Sequence, residues 1–88
     1  MYPKQEGQST MLRVRFTYTG TLIKEPVIYR LAREFNIVPN IRRADVQNNL
    51  GWVILELEGD PVEIDRGLEW VRSLGIRVDP VLGDVVEG

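Results

Sequence analysis

Residues 52–63 constrain the fold most, because an alternating pattern runs directly into a helix start. Residues 52–58 alternate, with Val53, Leu55 and Leu57 on one side and Trp52, Ile54, Glu56 and Glu58 on the other, which predicts a strand. Asp60 then has the position of an N-cap, Pro61 suits the first helical position, and Glu63 stands in the capping-box position. A strand and a helix in immediate succession require the helix to fold back over the strand.

The helix that begins at Pro61 is predicted to bury a single apolar face. That face carries Ile64, Gly67, Leu68, Val71 and Leu74. Gly75 is predicted to end the helix as its C-terminal cap, and Gly67 to allow a close approach to the sheet. A short strand over Ile76–Asp79 follows, and Pro80 restricts it to a sheet edge.

The N-terminal half repeats the succession of strand and helix. Leu12–Tyr18 alternates as a strand, and Pro26–Phe35 has helical spacing. The apolar positions of that helix are Ile28, Leu31, Ala32 and Phe35. A further strand is predicted over Ile41–Gln47, followed by a turn at residues 48–51, whose Asn and Gly residues tolerate positive φ.

The order βαββαβ predicts an α+β fold, the ferredoxin-like sandwich. Its four-stranded antiparallel sheet has the strand order 4-1-3-2, with both helices on one face. The predicted domain covers residues 11–82, with tails at residues 1–10 and 83–88. Parity places the following residues under the helices: Leu12, Val14, Phe16, Val53, Leu55, Leu57, Ile76 and Val78.

Composition narrows the classes of function. The 88 residues carry a net charge of −2 and contain neither His nor Cys, and no apolar run is long enough for a membrane span. A net charge of −2 offers no basic surface for nucleic acid, and the lack of a long apolar run gives no sign of membrane insertion. Without the commonest metal ligands and nucleophiles, the sequence predicts no metal site, no cofactor and no enzymatic activity. It also predicts a cytoplasmic protein, because the N-terminus lacks the apolar segment of a signal peptide.

The uncovered sheet face, here called the open face, is predicted to mix charges with two large apolar side chains, Trp52 and Ile54. These two residues are either isolated surface hydrophobes or an interface. Because a chain of 88 residues has a limited core, we predict a homodimer that covers the surface around these two residues or an edge strand.

The segment from Val38 to Ala44 is the principal candidate for binding chemistry. It stands where the helical pattern stops and a strand pattern begins. The amide of Asn40 either caps this junction or holds the head group of a ligand. Arg42 shares the parity of the covered face, which is anomalous for a charge, whereas Arg43 belongs to the open face.

The chain resembles the NIL domain family, named for an Asn-Ile-Leu motif. The resemblance extends from Leu12 to about Leu82. Its matching positions are Leu12-Arg13-Val14-Arg15-Phe16, Gly20, Pro26-Val27-Ile28, Leu31, Phe35, Asn40-Ile41, Ala44, Val46, Gly51, Leu57-Glu58-Gly59 and Gly75-Ile76-Arg77-Val78. Arg42 stands where the motif has Leu.

The resemblance implies an ACT-like regulatory domain that dimerises and binds L-methionine near the dimer interface. NIL domains occur at the C-terminus of methionine-importer ATPase subunits and as small stand-alone proteins. The ligand contacts implied for this chain are Val38, Pro39, Asn40, Ile41 and Arg42. The 88 residues contain no Walker motif. Two functions remain open: a module that senses an amino acid and signals to a protein partner, or an interaction domain that has lost its ligand.

Overall fold

The computed structural model describes residues 9–20, 26–48 and 50–82. Its elements follow the predicted order: β1 (Thr10–Thr19), α1 (Val27–Glu34), β2 (Ile37–Gln47), β3 (Leu50–Gly59), α2 (Pro61–Ser73) and β4 (Arg77–Pro80). The predicted tail at residues 83–88 and most of the tail at residues 1–10 lie outside the described residues. Within the described ranges, neither helix has the length and apolar character needed to cross a membrane.

The four strands form one antiparallel sheet in the order β2-β3-β1-β4, which confirms the predicted order read from the other edge. The two long central strands pair from Thr10 opposite Gly59 to Thr19 opposite Leu50. Strand β4 pairs only with β1, and Pro80 stands at its end, as expected for a residue that cannot donate to a second neighbour.

The core lies between the helices and one face of the sheet. Its buried side chains are Val14, Phe16, Val27, Leu31, Ile37, Val53, Leu55, Leu57, Ile64, Leu68, Val71 and Ile76. The predicted parities of β1 and β3 are therefore confirmed. The first helix differs in detail: Pro26 is its N-cap rather than its first helical residue, Val27 is buried, and Ala32 is exposed.

Helix α2 begins as predicted, except for the role of Glu63. The Asp60 carboxylate accepts a hydrogen bond of 2.9 Å from the backbone N–H of Val62. The Glu63 carboxylate accepts a bond of 3.2 Å from the backbone N–H of Asn36 instead of closing a capping box on Asp60. Its side chain thus joins α2 to the segment that enters β2, a long-range contact that no local motif predicts. At the other end, Gly75 has φ 92°, and its N–H donates to the Arg72 carbonyl.

The close approach predicted at Gly67 is present. A Cβ atom at this position would lie 2.7 Å from Ile37 Cδ1 and 2.9 Å from Leu31 Cδ1. The missing side chain therefore makes room for one residue of β2 and one of α1. Gly67 is buried at the point where both elements meet α2.

Strand β2 begins at Ile37, four residues before the predicted start at Ile41, so the expected junction at Asn40 is wrong. Ile37 is buried and pairs with Gly59, so tertiary contacts extend the strand backwards. Pro39 does not stop it, because β2 is an edge strand on which one side of the backbone needs no partner.

Candidate functional site

Asn40 lies inside the edge strand β2 rather than at its entrance. It is exposed and stands directly opposite Glu56 of β3. The residues on either side of Glu56, Leu55 and Leu57, are fully buried under the helices. Because directly opposed residues of an antiparallel pair point to the same face, Asn40 belongs to the open face.

A β-bulge between Ile41 and Arg43 resolves the anomaly of Arg42. Ile41 stands opposite Leu55 and Arg43 opposite Ile54, so that one extra residue is inserted into β2. Arg42 Nη1 lies 3.9 Å from Glu56 Oε1, on the open face. The assignment of Arg42 to the covered face is therefore wrong, because strict alternation does not apply across a bulge.

Glu56 is the centre of a charge cluster with Arg13 and Arg42. Arg13 Nε lies 3.1 Å from Glu56 Oε2, and Arg13 Nη2 also bonds this oxygen. The hydrogen bond from Arg13 lowers the pKa of Glu56 below 4.5, with desolvation opposing it and the charges of Arg13 and Arg42 reinforcing it. The cluster joins three neighbouring strands across the open face.

We expect Glu56→Gln to reduce the amount by which the free energy of unfolding falls when the pH is lowered. The carboxyl with a lowered pKa in the folded state contributes stability that is present above pH 4.5 and is lost as the pH falls through the folded pKa. Urea unfolding of both proteins between neutral pH and about pH 3 measures this. Glu58→Gln, an exposed position of β3, is the control. An equal loss of stability on acidification in the parent and in Glu56→Gln would contradict the lowered pKa of Glu56.

A cavity of about 270 Å³ lies where α1 covers the outer part of the sheet. Its lining is mainly apolar and comes from β1, the first turn of α1, β2 and β3: Tyr18, Pro26, Val27, Ile28, Tyr29, Ile41, Ala44, Val46, Gly51, Trp52 and Val53. The volume is just below the ~300 Å³ at which pockets for drug-sized ligands begin. A ligand of amino-acid size, with an apolar side chain, fits this space and lining.

Two tyrosines supply the phenolic groups of the cavity wall. Burial raises the pKa of the Tyr18 hydroxyl, because the charged form is disfavoured away from water. The Tyr29 hydroxyl accepts a hydrogen bond of 2.9 Å from Arg33 Nη1, one helical turn further along α1. The lining residues that the structure describes are uncharged.

Of the five predicted ligand contacts, Ile41 is the one that lines the cavity. Asn40 and Arg42 lie on the open face, so a single ligand reaches both the cavity and Asn40 only around the outer edge of β2. Sequence reasoning missed Tyr29 and the first turn of α1 as lining. Their signal was the run Val27-Ile28-Tyr29 after Pro26, of which only Ile28 was assigned, to the apolar face of the helix. The ligand-binding role of Val38, Pro39, Asn40, Ile41 and Arg42 stays a prediction.

The predicted interface residues are both half-buried on the open face. The Arg15 guanidinium lies 5.9 Å from the centroid of the Trp52 ring, in cation–π range. Ile54 stands between Arg15 and Arg43 on the neighbouring strands. Partial cover by these arginines reduces the apolar surface that the pair offers, and their role as an interface stays a prediction.

The carboxylates at the start of α2 have structural partners. Asp60 caps α2, and Glu63 bonds both Asn36 and Arg66. The hydrogen bond from Asn36 lowers the pKa of Glu63, opposite to the change that a general acid at neutral pH requires. Among residues 9–20, 26–48 and 50–82, no set of acidic side chains converges as metal ligands.

The structure is an α+β domain, a ferredoxin-like sandwich with a small, mainly apolar cavity beside an exposed edge strand. The chain is a member of the NIL domain family, whose model matches residues 12–80. This range begins within β1 and ends with β4, so it includes most of β1, the other three strands, both helices and the described residues that line the cavity.

Curated relatives share this domain within longer proteins. The chain is 35% identical over 83 residues to the methionine import ATP-binding protein MetN of Chromohalobacter salexigens, covering 90% of this chain and 24% of that protein. It is 31% identical over 85 residues to MetN of Aliivibrio fischeri, covering 92% and 24%. The chain thus spans about a quarter of the length of these relatives.

A solved structure shows the same fold. The crystal structure of the C-terminal domain of an ABC transporter ATP-binding protein from Enterococcus faecalis superposes with a TM-score of 0.69 at 19% identity. The match covers 82% of this chain and 84% of that chain. At this identity the likeness concerns the fold alone.

Proposed function

We propose that this chain is a regulatory binding module that senses an amino acid with an apolar side chain, methionine or a related sulfur compound in the first place. The observation that carries the proposal is the apolar cavity of about 270 Å³, one wall of which is formed by Ile41 beside Asn40. Membership of the NIL family and the similarity to methionine import proteins support this ligand class. The protein acts as a sensor in the cytoplasm and not as an enzyme.

The side chain of such a ligand enters the cavity, and its head group stays at the edge of β2. Burying a side chain of this size contributes about 1.5–3 kcal/mol. The amide of Asn40 offers a donor and an acceptor to a zwitterionic head group. Glu56 lies 3.9 Å from Arg42 and partly balances its charge, which favours a zwitterion over a ligand with a second negative group.

Calorimetric titration with the common amino acids and homocysteine tests the proposal. We expect methionine to release or absorb measurable heat with a stoichiometry near one per chain, and charged amino acids to give none. An affinity in the micromolar to millimolar range corresponds to about 4–8 kcal/mol. No binding by any amino acid at millimolar concentration would refute sensing.

Substitutions in the Asn40 segment are expected to change ligand binding. Asn40→Ala should weaken methionine binding by about 1–3 kcal/mol, because the charged head group loses a hydrogen-bond partner. Arg42→Leu should raise the preference for methionine over more polar amino acids, since it removes a charge near Asn40 that interacts better with polar ligands. Gln47→Ala, an exposed position at the far end of β2, is the control. Unchanged binding in both test variants would remove the segment from the site.

Self-association is part of the proposal, through the open face around Trp52 and Ile54 or through an edge strand. A second function, an oligomerisation domain without a ligand that binds an unidentified protein partner, is supported by the charge of Arg42 in the segment and by the exposed length of β2. It predicts association without any amino-acid binding. Light scattering combined with the titration separates the two functions.

A further inference from the structure

We propose that the hydroxyl of Tyr18 is the group with which the cavity selects its ligand, by donating a hydrogen bond to an acceptor near the end of the ligand's side chain. The ligand class is then an amino acid with a thioether or a stronger acceptor at that place, rather than a hydrocarbon chain of the same length. This inference rests on the proposed function, whose ligand it specifies through one side-chain atom.

The sheet side of the cavity, here called its floor, is built around a row of residues that crosses three strands. Tyr18 of β1 stands directly opposite Gly51 of β3, and Gly51 stands opposite Val46 of β2. All three line the cavity, together with the opposed pair Val53 and Ala44 beside them. Because Gly51 has no side chain and Ala44 has only a methyl group, the floor is left open between Tyr18 and Val46.

The cavity has an outer end at β2 and an inner end at β1. Its β2 residues Ile41 and Val46 are 53% and 62% exposed, whereas Val53 of β3 is buried. Two strand spacings, ~10 Å, separate β2 from β1, because β3 lies between them. A ligand whose head group stays at the edge of β2 therefore brings the end of its side chain, and not its first carbon atoms, to Tyr18.

The Tyr18 hydroxyl has no protein partner in the described part of the chain. No hydrogen bond among residues 9–20, 26–48 and 50–82 involves it. Tyr29 differs, since its hydroxyl already accepts a bond from Arg33. Tyr18 is half-buried, and the burial that raises its pKa partly removes its hydroxyl from water. Such a donor gains from an acceptor that a ligand brings.

The acceptor strength of the ligand decides how much this hydroxyl contributes to binding. A methylene group accepts no hydrogen bond, a thioether sulfur is a weak acceptor, and a sulfoxide oxygen is a more polar one. A hydrocarbon chain that fills the cavity displaces water from the hydroxyl and leaves the donor unpaired, which costs binding free energy. The contribution of the Tyr18 hydroxyl therefore rises from hydrocarbon through thioether to sulfoxide.

Tyr18→Phe tests the assignment, because it removes the hydroxyl and keeps the ring. Calorimetric titration of parent and variant with norleucine, methionine and methionine sulfoxide compares ligands that differ at the acceptor position. We expect the variant to bind norleucine at least as tightly as the parent, methionine ~2–5-fold more weakly and the sulfoxide ~10-fold more weakly. The same change in affinity for all three ligands would overturn the inference.

Thr17→Val is the matched control for the loss of a hydroxyl from β1. Thr17 precedes Tyr18 in the strand, belongs to the open face and does not line the cavity, so all three affinities should equal those of the parent. Circular dichroism establishes that both variants are folded. If Tyr29→Phe, and not Tyr18→Phe, produces the graded loss, the selecting hydroxyl is that of Tyr29 and the assignment to Tyr18 is wrong.

Probes without an amino-acid head group give a second measurement, which does not depend on sensing. Tetrahydrothiophene and cyclopentane are five-membered rings of similar shape, and only the first carries a thioether sulfur. Titration of parent and Tyr18→Phe, followed by NMR through the backbone amides of Gly51 and Val53 in the cavity floor, gives their affinities. The variant should lose ~2–5-fold in affinity for tetrahydrothiophene relative to cyclopentane.

The outcomes for this inference and for the proposed function are distinguishable. Methionine binding that Tyr18→Phe changes no more than norleucine binding upholds sensing and overturns the role of Tyr18. Hydroxyl-dependent binding of tetrahydrothiophene, without binding of any amino acid, upholds the selection by Tyr18 and refutes sensing. If neither the amino acids nor the two rings bind the parent at roughly millimolar concentration, both proposals are refuted.

Discussion

Replacing Ile28 by Trp is expected to lower the affinity for methionine by about 10–100-fold, because the larger ring fills the cavity and excludes the ligand's side chain. Ile28 is half-buried in the first turn of α1 and lines the cavity. The lost free energy is that of burying one apolar side chain of methionine size, about 1.5–3 kcal/mol. Calorimetric titration of parent and variant with methionine measures the change.

The matched control for this variant is Val62→Trp. Val62 also stands in the first turn of a helix and is also β-branched, but it is 64% exposed and does not line the cavity. The same added ring at this position should leave the affinity unchanged. Circular dichroism confirms that both variants are folded before titration. Equal affinities of Ile28→Trp and parent would mean that the ligand binds elsewhere.

Leu55→Ala is expected to lower the free energy of unfolding by about 2–5 kcal/mol, the largest effect on stability among these variants. Leu55 is fully buried at the centre of β3 and stands between Val14 of β1 and Ile41 of β2. Its truncation removes apolar contacts and leaves a void that the surrounding strands cannot fill. For a domain of this size such a loss is a large part of the total stability.

Leu50→Ala, the same substitution at an exposed position of β3, is the control that isolates the effect of burial. Leu50 is 50% exposed at the start of β3, so we expect a loss below about 1 kcal/mol. Urea unfolding of parent and both variants, with the slope compared as well as the midpoint, gives the difference. Losses of similar size at the two positions would contradict the description of the core.

The sequence predicted the fold because its strongest signals are local. Alternation in β1 and β3, the cap at Asp60 and the apolar face of α2 each depend on residues a few positions apart, and each is confirmed. The order of the elements then leaves few ways to cover one face of the sheet with two helices. Strand order followed from this topology.

The candidate site was less accessible to such reasoning. The Asn40 segment was identified from the change of a helical to a strand pattern and from its match to a motif, and Ile41 does line a cavity. The cavity itself is formed by residues of four elements, from Tyr18 to Val53, and no local pattern joins them. Tyr29 shows the difficulty: its spacing in the helix does not reveal that its side chain borders a space beside β2.

The sequence by itself determined which residues form strands and helices and which face of β1, β3 and α2 is buried, because apolar periodicity and helix caps are properties of neighbouring residues. Only the tertiary structure decided the backward extension of β2 to Ile37, the bond from Asn36 to Glu63, and the bulge that turns Arg42 towards Glu56. These features depend on contacts between segments far apart in the chain, and such contacts override local alternation wherever packing against a neighbouring element stabilises a different arrangement.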